Sequence, residues 1–95
     1  MADRIKQTYP GQDARAIYER LVAQLGEVAQ TWGLHLDRDD EALTGRVHKR
    51  GMVDVRFSVA GETLAADLDF GMLMPKAIRE KVRVELDRRL GALFA

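Results

Sequence analysis

Ninety-five residues, 46% of them apolar, with 15 basic and 15 acidic side chains and no cysteine, describe one small domain with room for a single hydrophobic core. Charge balances in each half, eight of each sign through Arg50 and seven of each after it, so steering toward nucleic acid or an anionic membrane is weak. Disulfides, thiolate nucleophiles and sulfur-ligated metals are excluded, no run approaches the roughly 18 apolar residues of a membrane span, and Asp3, Arg4 and Lys6 interrupt any secretory leader, which points to the cytoplasm.

Arg4 to Tyr9 offers a short edge strand. From about residue 13 to 32, Ile17, Tyr18, Leu21, Val22, Leu25, Val28, Ala29 and Trp32 recur at helical spacing and form one apolar stripe. Asp13 can accept from the free amides of the first turn, and Gly33 can take the left-handed conformation that ends a helix. Gly26, inside the helix, marks either a close approach to the sheet or a tolerated cost of about 1 kcal/mol. Leu34 and Leu36 offer a second short strand.

The period then changes to that of strands. Leu43, Gly45 and Val47 alternate with Thr44, Arg46 and His48, Val53 to Val59 with Asp54, Arg56 and Ser58, and Leu64 to Phe70 with Ala65, Asp67 and Asp69. These predict strands over about 42–48, 52–60 and 63–70. Gly61-Glu62 suits a two-residue type II′ turn and Lys49-Arg50-Gly51 a three-residue loop. The resulting register pairs Val59 with Leu64, Phe57 with Ala66, Val55 with Leu68 and Val53 with Phe70. It also pairs Val47 with Val53 and Leu43 with Phe57, and all the apolar side chains share a face. A last helix, about 75–92, opens at Pro75 and carries Ile78, Val82, Leu86, Leu90 and Leu93 on one line, with a charged face opposite. The expected fold is α+β: three core antiparallel strands plus one or two short ones, with two amphipathic helices on one face.

On the other face this register places Arg46, Asp54 and Asp69 in one row and Thr44, Arg56 and Asp67 in the next, with ion pairs Arg46–Asp54 and Arg56–Asp67. A solvated, ion-paired surface accounts for such a face. Asp54 and Asp69 are like-charged neighbours that need Arg46, Arg56 or a cation between them. With His48, and with His35 near the same face, they make a candidate site for a divalent metal or acid–base chemistry, although no HxH or HExxH spacing is present. Basic residues from Arg46 to Arg50, with the last helix, form a candidate phosphate or nucleic-acid surface. No exposed aromatic is expected to stack a base there, so nucleic acid is not the expected partner.

The apolar run Gly71-Met72-Leu73-Met74-Pro75, at a strand-to-helix junction, is a candidate contact surface: Met72, Leu73 and Met74, with Arg79 and Arg83 on the following helix. Met52, Leu93 and Phe94 would extend that patch and favour a homodimer if they cluster with it.

The helix entered through Ala14-Arg15, the Trp32-Gly33-Leu34 junction, the glycine-punctuated strand pair, and Leu64 to Phe70 leading into Met74-Pro75-Lys76 and a charged helix resemble the small polyhydroxyalkanoic acid system proteins. Where such proteins carry a histidine before the first helix, this chain has Tyr9-Pro10-Gly11. The resemblance implies a bacterial accessory protein at polyester storage granules or their associated proteins, and brings no catalytic residues with it. The expected function is therefore non-enzymatic binding without a cofactor. A metal-dependent or acid–base enzyme on the polar sheet face is the alternative, and a phosphate or nucleic-acid module the next.

Overall fold

The computed structural model describes residues 3–95. In chain order it contains β1 (Asp3–Thr8), α1 (Ala14–Trp32), β2 (His35–Asp39), β3 (Thr44–Lys49), β4 (Val53–Ala60), β5 (Thr63–Phe70) and α2 (Lys76–Gly91). The strands form one antiparallel sheet in the order β1-β5-β4-β3-β2. Both short segments proposed as strands therefore join the sheet, and they form its two edges. Because β1 and β2 occupy opposite edges, α1 has to carry the chain across the whole sheet.

The predicted signals at the ends of α1 are all in place. Asp13 Oδ1 accepts from the Ala16 amide at 2.9 Å, and Gly33 closes the helix at φ 67°, ψ 35°. Each such cap is worth about 1 kcal/mol. Burial outweighs it, because Ile17, Tyr18, Leu21 and Leu25 are nearly sealed and each contributes roughly 1.5–3 kcal/mol. They join Val47, Val55, Phe57, Leu64 and Leu68 from the sheet and Val82, Leu86 and Leu90 from α2 in one continuous core. Gly26 has open space where a Cβ would stand, so it reflects tolerance and not a close approach.

The β4–β5 hairpin has the register the turn chemistry dictates. Ala60 pairs with Thr63 across Gly61-Glu62, and Val59, Phe57, Val55 and Val53 face Leu64, Ala66, Leu68 and Phe70. Positive φ falls on Gly61 and not on Glu62, as a type II′ turn requires.

The β3–β4 pairing differs from expectation by two residues. Lys49 pairs with Val53, Val47 with Val55 and Gly45 with Phe57, and the loop is Arg50-Gly51-Met52. Lys49 O accepts from Met52 N at 3.0 Å, which places Gly51 at the third turn position with φ 79°. This choice is fixed from outside the hairpin. Gly51 O accepts from Leu73 N and Met52 O from Gly71 N, both at 2.9 Å, and Gly71 can lie against the Gly51 backbone only because it lacks a Cβ. At the other end Leu43 takes a left-handed φ of 56°, so β3 starts at Thr44 and Leu43 does not face Phe57. Gly45 does, and a Cβ there would collide with the Phe57 ring.

Two helix expectations also change. Trp32 ends the α1 stripe yet is 38% exposed, and Ile78, in line with Val82, Leu86 and Leu90, is 45% exposed. Met74 is buried and belongs to the core, not to an outer contact surface. Leu93 is buried and Phe94 packs at a tilt against Tyr9, 5.3 Å between ring centres and partly buried on the core, so neither extends an exposed patch toward a homodimer. Met52 is partly buried against the core. Among the described residues, no helix is long and apolar enough to cross a membrane.

Candidate functional site

Alternation sends Arg46, His48, Asp54, Arg56, Asp67 and Asp69 to the face opposite the helices, as expected. The two-residue shift changes their partners. His48, not Arg46, lies across from Asp54, and Arg46 lies across from Arg56. Arg46 relieves this like-charge pairing by reaching diagonally to Asp54, donating from Nε and Nη2 at 2.8 and 2.7 Å. Arg56 stands 3.7 Å from the same carboxylate. Asp67 is across from Arg56 in register but is held by Arg4 of β1, at 2.8 and 3.3 Å. Asp54 and Asp69 are neighbours as predicted, and Arg46 is what makes this tolerable: its hydrogen bond holds the Asp54 carboxyl below the usual carboxylate range.

One constellation on this face is new. In β2, His35 and Asp37 are two residues apart and point the same way, and β2–β3 pairing sets His35 directly opposite His48. The imidazoles meet edge to face at 5.3 Å between centres. Asp37 lies between them, Oδ1 3.2 Å from His35 Nε2 and Oδ2 2.9 Å from His48 Nε2. The hydrogen bond to His48 leads in holding the Asp37 carboxyl below its ordinary value. The ligating atoms of all three side chains lie within 4.8 Å of one another. Asp54 and Asp69 do not join the group. Sequence reasoning placed His35 and His48 on one face but passed over Asp37. The signal was the alternation His35-Leu36-Asp37, legible only once β2 is known to pair with β3.

The second feature is apolar. The helices run antiparallel, tied at one end where Arg89 donates to Gln24 Oε1 at 3.1 Å and Arg20 to Leu93 O at 3.2 Å. At the other end a hollow of about 550 Å³ is lined by Trp32 of α1 and by Ile78, Val82 and Val84 of α2, with Glu80, Lys81 and Glu85 around them. Met72, 97% exposed, lines a separate hollow with His48, Asp54 and Asp69, and Leu73 too faces solvent. Arg79, expected as an outward contact, instead clasps the junction, donating to Met74 O at 3.0 Å and Gly71 O at 3.2 Å. Arg83 stays outside, 3.7 Å from Glu80 and 3.9 Å from Asp3.

Comparison with protein-family models, curated proteins and solved structures finds no match. Function has to be argued from these two surfaces, because a fold of this kind carries no activity of its own.

Proposed function

We propose that the chain is a non-enzymatic, cytoplasmic binding module that seats on the apolar surface of a polyester storage granule. One observation carries this reading. Among the described residues the exposed large apolar side chains are Trp32, Met72, Leu73, Ile78 and Val84. All belong to α2, to the junction entering it, or to the end of α1 beside it. Scattered single residues of this kind are ordinary on a surface, whereas Trp32, Ile78 and Val84 line one hollow together, and such a cluster marks an interaction site. Met72 suits an irregular surface, being unbranched and polarizable. The granule as the occupant comes from the resemblance to the polyhydroxyalkanoic acid system proteins. An acid–base enzyme has less behind it, since Arg4, Asp67, Arg46 and Asp54 neutralise one another in pairs on an open face that excludes little water.

Co-sedimentation of the purified chain with amorphous polyester particles tests the reading. Met72→Asp, Leu73→Asp and Ile78→Asp should each weaken binding roughly tenfold, the value of burying one such side chain. Thermal stability should barely change, because all three are exposed. A chain that stays in the supernatant, or variants that bind as well as the parent, would remove the proposal.

A further inference from the structure

The structure assigns a divalent transition-metal site to His35, Asp37 and His48, with imidazole, carboxylate and imidazole donors and the remaining coordination position open to solvent. The group shares no residue with the apolar surface, although His48 and Met72 line one hollow, and neither reading needs the other.

Four observations carry it. First, the donors sit on two hydrogen-bonded strands, so the backbone fixes their spacing: His35 and Asp37 share a face of β2, and His48 is the cross-strand partner of His35. Second, the donor separations suit a small ion. Ligands about 2.0–2.1 Å from a tetrahedral centre lie about 3.4 Å from one another. Here Asp37 oxygens stand 3.2 and 2.9 Å from the two Nε2 atoms, and no two ligating atoms are more than 4.8 Å apart. The remaining gap closes by side-chain rotation, which His35 and Asp37 are free to make because both are exposed.

Third, the surrounding charge does not oppose a cation. Arg46, the cross-strand neighbour of Asp37, is already held by both oxygens of Asp54, and Asp69 lies in the same row beyond. Fourth, the chain contains two histidines and no cysteine, and both histidines stand in this one group.

The donor chemistry selects the ion. Two nitrogens and one oxygen suit zinc and its neighbours cobalt, nickel and copper; magnesium and calcium call for oxygen shells. Each imidazole would bind through the Nε2 lone pair with its proton on Nδ1, so the hydrogen bonds to Asp37 give way to bonds to the metal.

Titration of the full-length, tag-free chain with Zn²⁺ in a calorimeter tests the site, with Co²⁺ absorption reporting the coordination geometry. One ion per chain is expected. His35→Ala, His48→Ala and Asp37→Asn should each weaken it by at least about tenfold, while Asp69→Asn, on the same face outside the group, leaves it unchanged. Nitrogen NMR of the parent chain gives a readout that depends on no variant: Zn²⁺ should shift the Nε2 resonances of both imidazoles. Absence of saturable binding, resonances that do not move, or affinity that survives His48→Ala would overturn the assignment.

Discussion

On the underside of the sheet Val47, Val55, Phe57, Leu64 and Leu68 are sealed beneath two helices; on the outer face Arg4, Arg46, Asp54 and Asp67 hold one another in pairs near water. The two faces are made by the same alternation, but a register shift affects them differently. Moving β3 by two residues along β4 puts one valine opposite another and leaves the underside apolar. On top it exchanges the neighbours of Arg46, His48 and Asp54. Apart from Gly45, which must stay small opposite Phe57, the underside needs the right kind of side chain, whereas the outer face needs the right individual.

The sharpest way to break the comparison is to truncate one residue on each face. Leu68 is fully buried in mid-sheet, so Leu68→Ala should cost about 2–5 kcal/mol through lost transfer energy and the cavity left behind. Asp69→Ala, its exposed neighbour, should stay within about 0.5 kcal/mol. Urea unfolding of both variants checks this, and comparable losses would show that the faces do not differ in this way.

This asymmetry explains which parts of the molecule were legible in the sequence. Both helices, the cap at Asp13, the stop at Gly33 and the β4–β5 register follow from local spacing and turn chemistry, because those interactions lie within a few residues of their cause. The β3–β4 loop was misplaced because its anchor is the contact of Gly51 and Met52 with Gly71 and Leu73, which no local pattern records. The same distance hid the site. Asp37 becomes a partner of His48 only through β2–β3 pairing, and the exposure of Trp32 and Ile78, which line one hollow, depends on tertiary packing that their helical spacing does not record. Met74 and Met72 look alike in the sequence, yet one is core and the other nearly fully exposed.

Two glycines sharpen the picture with opposite signs. A Cβ on Gly45 would strike the Phe57 ring and lie 2.7 Å from the Asp37 carbonyl oxygen, so Gly45→Ala should overpack the underside and cost about 3 kcal/mol. Gly26 lies in a helix with nothing within 4 Å of the added carbon, so Gly26→Ala should stabilise by up to about 1 kcal/mol. Melting temperatures moving in opposite directions would confirm the pair. A stabilised Gly45→Ala would mean that Phe57 is free to give way.

A titration distinguishes the faces at the next level. Tyr9 is buried at the underside's margin, its hydroxyl donating to Leu90 O at 2.5 Å, and burial pushes its pKa up to about 12. The folded value lies above the unfolded one near 10, so this contribution is complete below about pH 10 and is lost as pH rises toward 12. A loss on the order of 2 kcal/mol across that interval should appear in alkaline unfolding, and it should be absent in Tyr9→Phe.

The outer face should give the smallest effect, with the opposite dependence on pH. Asp54 is held below the carboxylate range chiefly by Arg46, so its contribution is present above the unfolded value near 3.8 and disappears as pH falls through the lower, folded one. The pair is partly solvated, with the Asp54 side chain one-quarter exposed and Arg46 more so, which limits its worth to under about 1 kcal/mol. Arg46→Gln should return the Asp54 carboxyl toward its ordinary value in a carbon-detected NMR titration while stability at pH 7 falls only slightly. A loss as large as that of Leu68→Ala would show that Arg46 also keeps Arg56 and His48 in their places across the shifted register.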